Sequence, residues 1–339
     1  MERDISNFIC GLPKAELHVH LEGTLEPEFI FKLSERNKIA LNWDSPDDLR
    51  KAYEFKDLSS FLDVYFKACE VIRTQEDFYD LTIAYLNRAI KQNIKHVELF
   101  LGPQSFMDRG IRIEEIICGT ITAIKSLRND ISAYLLPSIL RTRPAEDALQ
   151  MLKQITPWIE DIRGVGMGGS ELGYPSAPFT EYFKQCKKLG LRTTVHAGEE
   201  TSAEYVKEVL KNVNPDRIDH GLKAAESREL MKELSTKRIP LTLCPLSNLK
   251  LKNIKCAEEL PVRDFLKEGI LLTINSDDPA YFLGYLNENY ELCAETFKLG
   301  KYELCDLAKN SFTASFLPNE EKKKFISEID SYFLGFKIV

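Results

Sequence analysis

The stretch "KAELHVHLEG", residues 14–23, decides how the rest of the chain is read. Within it, "AELHVH" (15–20) is a run of strand-forming, partly apolar residues ending in two histidines two positions apart. Side chains alternate across a strand with period two, so His18 and His20 are expected on one face. Such a pair is either a metal clip or a chance repeat, and alone it does not decide between them. The chain has only five histidines, so the places of the other three carry information.

Short apolar, β-branched runs recur along the chain, each following a helical stretch. They are 15–20 "AELHVH", 95–101 "KHVELFL", 133–140 "AYLLPSIL" and 162–167 "IRGVGM", then 191–196 "LRTTVH", 216–220 "DRIDH", 239–244 "IPLTLC" and 270–275 "ILLTIN". Amphipathic segments separate them, among them 112–127, 144–155 and 202–212. Eight strands alternating with helices predict an α/β fold, a (β/α)8 TIM-type barrel, whose core takes ~250 residues. The interval 24–92 holds extra helical patterns at 57–71 and 74–91 and is read as an insertion after strand one that caps the barrel. Residues 317–336 are expected as a closing helix, and with no linker or repeat the chain 1–339 is read as one domain. A doubly wound open sheet is the alternative. It requires a glycine-rich phosphate loop, and "GVGMGGS" (164–170) does not match that fingerprint.

In such a barrel, chemistry belongs at the C-terminal strand ends. His18 and His20 end strand one, His196 ends strand five and His220 ends strand six, while Asp277 and Asp278 follow strand eight in "INSDDPAY". His96 starts strand two, at the other end, and is read as structural. Three imidazoles and a carboxylate suit Zn²⁺, so His18, His20, His196 and Asp277 are the expected ligands. A metal lowers the pKa of water to about 7, which provides hydroxide at neutral pH. Glu199, three residues past a ligand, is placed to give a proton to a substrate. His220 is placed to take the water's proton or hold the hydroxide, and Asp278 to face the substrate. Singly, each group has an ordinary use: a core histidine, a turn at "SDDP", a loop at "HAGEE". Their joint placement favours a metal hydrolase. Strand four ends in "GMGGSE" without a lysine, so no carboxylated lysine bridges two metals and one metal per subunit is expected.

Composition narrows the partners. A net charge of −7 gives no basic footprint for nucleic acid. No run approaches the ~20 apolar residues of a membrane span, and "MERDISNFICGLPK" lacks the apolar stretch of a signal peptide. Eight scattered cysteines without a Cys-x-x-Cys fit reduced thiols. A cytoplasmic enzyme with a small-molecule substrate is expected, with a homo-oligomer left open.

Five motifs in order, "ELHVHLEGTLEPE" (16–28), "VHAGEE" (195–200), "RIDHG" (217–221), "LCPLSN" (243–248) and "NSDDPAYF" (275–282), resemble the adenosine and adenine deaminase family of zinc hydrolases. The resemblance runs over almost the whole chain. It implies the metal-dependent hydrolase barrel and replacement of a purine 6-amino group by oxygen, with release of ammonia. It also implies zinc on His18, His20, His196 and Asp277, proton donation from Glu199 to purine N1, action of His220 on the water, and contact of Asp278 with N7. The chain is most similar to the branch that converts free adenine to hypoxanthine in purine salvage. Adenosine or an N6-substituted adenine is the alternative substrate, and a non-catalytic purine-binding protein the distant one. Glu22 stands where the adenosine-acting branch usually has an Asp that meets the ribose, and its longer side chain reaches into ribose space. Two stretches depart from the adenine branch. Leu101-Gly102-Pro103-Gln104 replaces its usual Phe-Asp-Pro-Gln, and Gly168-Gly169-Ser170-Glu171 its Asp-Ser-Ser-Glu. Either the support of the site changes or the pocket enlarges. Glu22, Gly169, Ser170 and Asp278 are the expected substrate contacts.

Overall fold

A computed structural model describes residues 3–336. Eight strands pair in parallel and in sequence order: β1 (Lys14–His20), β2 (Ile94–Leu101), β3 (Ser132–Leu140), β4 (Gly164–Gly168), β5 (Arg192–Ala197), β6 (Arg217–His220), β7 (Leu241–Leu243) and β8 (Leu272–Ile274). Helices cover the outside, so the strands read as nearly continuous apolar runs. Strands β7 and β8 are shorter than the runs 239–244 and 270–275. Around β7 the cause is visible: Pro240 has no N–H to donate, and Pro245 opens the next helix.

The seam between the first and last strands closes beyond β8. The His20 N–H donates to Asp277 O (2.9 Å) and the Asp277 N–H donates to His18 O (3.0 Å). Below them the Leu17 N–H donates to Asn275 Oδ1 at 2.8 Å. Asp277 therefore joins the barrel wall through its backbone.

The stretch 24–92 divides in two. Helix Gln75–Lys91 packs on β2 and on helix Ile113–Ser126, which is the place of an ordinary barrel helix. A reciprocal cap starts it: Thr74 Oγ1 accepts from the Asp77 N–H and Asp77 Oδ2 from the Thr74 N–H. The extra helices are Pro27–Asn37, Pro46–Lys51 and Leu58–Ala68. The last lays Leu58, Phe61, Leu62, Tyr65 and Phe66 over the cavity at the strand ends. At the C-terminus two helices follow β8 after Leu286–Phe297: Lys301–Ala314 and Asn319–Phe336. Phe312 and Phe325 stack between them at 4.9 Å. Phe8, on helix Arg3–Gly11, packs on Tyr332 and Phe336 and ties the two ends of the chain together.

Strands β2 and β6 face each other across the barrel, and a fully buried ion pair spans the interior between them. Arg217 Nη1 lies 2.7 Å from Glu98 Oε2. Arg217 Nη2 also donates to Leu17 O (3.1 Å), and the Phe316 N–H donates to Glu98 Oε1. His96, expected to be structural, holds Ser132 Oγ at 2.9 Å and Glu98 Oε1 at 3.2 Å. Burial alone would raise the Glu98 carboxyl, but Arg217, His96 and the Phe316 N–H outweigh it and hold it below its ordinary range. Removing one partner strands the other charge away from water. Glu98→Gln is expected to lower unfolding stability by about 3–5 kcal/mol, read by urea denaturation. A loss under about 1 kcal/mol would show that Arg217 finds other partners.

Candidate metal and active site

At the other end of the barrel, His18, His20, His196 and Asp277 converge. One donor atom from each lies within 4.8 Å of the others. His18 Nε2 and His20 Nε2 each stand 3.3 Å from Asp277 Oδ1, and His20 Nε2 stands 3.2 Å from His196 Nε2. Neighbours fix which ring nitrogens carry lone pairs. The Thr242 hydroxyl donates its only hydrogen to Asp219 Oδ1 (3.1 Å), so it accepts from His18 Nδ1, 2.9 Å away. His18 Nε2 is then left with a lone pair, buried and without a hydrogen-bond partner. His196 Nδ1 faces Asp219 Oδ2 at 3.4 Å, which turns its Nε2 lone pair towards His20. Burial pushes His20 down to about 3, so its ring is neutral at pH 7. Converging lone pairs and a carboxylate oxygen repel one another unless a cation lies between them. The set fits one metal ion.

Asp219 emerges from the structure and not from the motif reading. Burial opposes its charge, but His196, His18 and Arg217 hold it well below the ordinary carboxylate range. Strict alternation sends Asp219 and His220 to opposite faces. The chain turns at their junction instead, with φ of +62° at His220 and +69° at Gly221, so neighbouring residues both serve the site. An Asp-His-Gly run at a strand end was the available signal.

His220 Nε2 lies 3.5 Å from Glu199 Oε2 and 3.8 Å from Asp277 Oδ2. Burial, reinforced by Asp277, raises the Glu199 carboxyl well above its ordinary range, which favours its protonated form. Glu171 holds the backbone beneath it. The Gly198 and Glu199 N–H groups donate to its two carboxylate oxygens at 2.8 and 2.7 Å. In return Glu200 Oε1 accepts from Ser170 Oγ (2.6 Å) and the Glu171 N–H (2.7 Å). Two carboxylates thus lace together the loops after β4 and β5. Arg141 adds a bond from Nη1 to His196 O at 2.7 Å.

The expected substrate contacts separate here. Glu22, Gly169 and Asp278 line the cavity, together with Gly102, Ser138 and Gly168. Ser170 does not line it, because its hydroxyl is committed to Glu200. A Cβ at Gly23 would fall 2.6 Å from Asp278 Cα, so only glycine lets these two turns meet. Glu22 Oε1 accepts from the Gly102 N–H at 2.7 Å, and burial raises its carboxyl to about 7. Asp278 is raised well above its ordinary range by burial and by the adjacent Asp277. Neither Gly102 nor Gly168 has a positive φ. A Cβ at Gly168 would make ordinary contact with the His196 ring at 3.5 Å, so this departure leaves space, whereas a Cβ at Gly102 would fall 3.3 Å from Glu22 Oε1, so glycine there makes room for the Glu22 carboxylate.

The sequence pattern described as adenosine deaminase matches residues 13–332. The chain belongs to the adenosine deaminase family. Among family members, it is 44% identical over 331 residues to an adenine deaminase of Rhodopseudomonas palustris, covering 97% of this chain and 96% of that one. It is 44% identical over 327 residues to an adenine deaminase of Wolinella succinogenes, covering 96% and 99%. The crystal structure of an adenine deaminase from Arthrobacter aurescens superposes with a TM-score of 0.93 at 37% identity, covering 95% of this chain and 99% of that one.

Two residues outside the motif reading generate tests. Asp219→Asn should weaken metal affinity by about 10–100-fold, measured by competition with a chelator, because His196 and Thr242 lose their anchor. Glu171→Gln should leave bound metal unchanged and lower kcat more than it raises KM. Unchanged kcat would show that the Glu199 loop holds its place without this acceptor.

Proposed function

We propose that this chain catalyses hydrolytic deamination of adenine to hypoxanthine and ammonia, with one zinc ion on His18, His20, His196 and Asp277. The observation that carries the reading is a buried, proton-retaining Glu199 beside His220, at the edge of a four-donor metal set. Adenine deaminases among the relatives support the free base as substrate. A zinc ion held by these four residues would lower the pKa of water to about 7 and so make hydroxide available at neutral pH.

The chain's own residues do the rest. Burial depresses the His220 ring well below its ordinary range, so it is neutral and accepts the proton of the attacking water. Glu199 donates its proton to purine N1, which makes C6 electrophilic as oxygen adds there. Asp278 retains its proton and donates to N7, fixing the ring's orientation. As the C6–N bond breaks, the amino group takes the proton held by His220 and leaves as ammonia, the C6 hydroxyl proton returns to Glu199, and the 6-oxo product keeps the proton at N1. Leu58, Phe61 and Tyr65 cover the cavity and limit water to the reacting molecule. Glu22 and Gly169 form the wall against the rest of the base. A cytoplasmic place in purine salvage accords with this chemistry, and among the described residues no helix is long and apolar enough to cross a membrane.

A product assay over adenine, adenosine, AMP and N6-alkyladenines tests the substrate. Adenine is expected to exceed adenosine by at least about 10²-fold in kcat/KM, since a ribose meets the Glu22 carboxyl and each ~1.4 kcal/mol is tenfold. Comparable rates would move the chain to the nucleoside branch. A poor rate on adenine with a fast rate on an N6-alkyladenine would assign the space at Gly168 to the substituent. The roles separate by mutation. Asp277→Ala should lose zinc and activity together, whereas Glu199→Gln should keep zinc and lose roughly 10²-fold or more in kcat. Nearly normal turnover of Glu199→Gln would assign N1 protonation to another group.

A further inference from the structure

Asp277 offers its two carboxylate oxygens to two different groups of ligands. Oδ1 lies 3.3 Å from both His18 and His20, while Oδ2 faces His220 Nε2 at 3.8 Å. On that second side stands Cys244. One donor atom each from Cys244, His220 and Asp277 lies within 4.8 Å of the others. The Cys244 thiol is fully buried, and its one hydrogen bond is a weak one to Thr242 O at 3.5 Å. His220 Nδ1 is buried without a hydrogen-bond partner. Glu199 Oε2, 3.5 Å from His220 Nε2, closes the group from the cavity side.

We propose that Cys244, His220 and Asp277 form a second, inhibitory site for a soft divalent cation, zinc or cadmium, adjoining the first and sharing Asp277 as a bridge. A thiolate and an imidazole select soft and borderline cations over magnesium or calcium. Two cations bridged by one carboxylate at roughly 3.5–4 Å are an ordinary arrangement in hydrolases. On binding, the thiol gives its proton to solvent and sulfur takes the cation. The consequence for activity rests on the role proposed above for His220. Its ring nitrogen, once held by a cation, cannot take a proton from water, and Glu199 beside it meets a positive charge. Excess cation therefore stops the enzyme without displacing the first metal.

The test adds Cd²⁺ to metal-loaded enzyme carrying Cys10→Ser and Cys256→Ser, which removes the two exposed thiols. Equilibrium dialysis should find one further equivalent bound, with an ultraviolet thiolate-to-cadmium charge-transfer band rising alongside it, and activity should fall with that occupancy. In the same background Cys244→Ala should keep the first metal, lose the band, bind the added equivalent at least about tenfold more weakly, and resist inhibition. Cys244→Ser fills the same space with a harder donor. It should behave like Cys244→Ala, which shows that a difference from the parent is not a packing effect. No further equivalent in the parent, or an unchanged band and affinity in Cys244→Ala, would overturn the site. Binding at Cys244 with full activity would overturn its inhibitory character. Failure of the deaminase reading itself would appear as inactivity on purines, with the dialysis and band intact.

Discussion

Everything at the catalytic end of this molecule depends on the double engagement of Asp277. Its backbone exchanges hydrogen bonds with β1, donating to His18 O and accepting from the His20 N–H, and so supplies the join between the first strand and the last. Its side chain meets the same two histidines through Oδ1. The closing seam of the barrel and the metal set are thus one structure. The residue has φ of +66°, a left-handed conformation that aspartate tolerates better than most side chains. A barrel that did not close would not assemble the donors, and donors without a cation strain the seam by mutual repulsion. A cation bound to this set would reinforce closure, because the folded state alone presents the donors together.

The second constraint is burial, which sorts like residues into unlike roles. Glu22, Glu199, Asp277 and Asp278 all line one cavity and are all nearly inaccessible to water. Water cannot stabilise four negative charges there. Asp277, ringed by His18, His220 and His20, is held well below its ordinary range despite its burial. Its neighbour in the chain, Asp278, faces no such ring and is driven upward by burial and by Asp277 itself. Glu199 follows Asp278 for the same reasons. One carboxyl held low among three imidazoles and two held high against the cavity follow from position alone.

Much of this was legible in the sequence, because strand recurrence and polar residues at strand ends are both short-range signals. Histidines 18, 20, 196 and 220 could be placed on one face of a barrel from spacing alone. What was hidden depends on departures from regularity or on contacts between distant loops. Alternation puts Glu16 with His18 and His20, yet the register of β1 on β2 slips between Glu16 and Val19. Glu16 therefore meets Tyr85 on an outer helix and Ser276, and not the metal set. Ser170 sits beside cavity-lining Gly169, but its hydroxyl answers to Glu200, thirty residues further on. The end of the insertion was missed because helical periodicity is the same in an added helix and a barrel helix. Only packing on β2 tells them apart.

The four residues of β6 show how little chain separates stability from chemistry. Arg217 anchors the buried pair with Glu98 on β2, Asp219 orients His196 and the Thr242 that serves His18, and His220 faces Glu199. Arg217 Nε also lies 3.7 Å from Asp219 Oδ1, so the base pair and the metal-orienting carboxylate share one electrostatic neighbourhood. With both faces of the strand taken by helices and barrel interior, none of these charges has water to fall back on. Each is met by a group on another element: Arg217 by Glu98, Asp219 by Thr242 and His196, and His220 by Glu199. The buried ion pair with Glu98 and the carboxylate that orients His196 thus lie two residues apart on one strand, inside one low-dielectric neighbourhood.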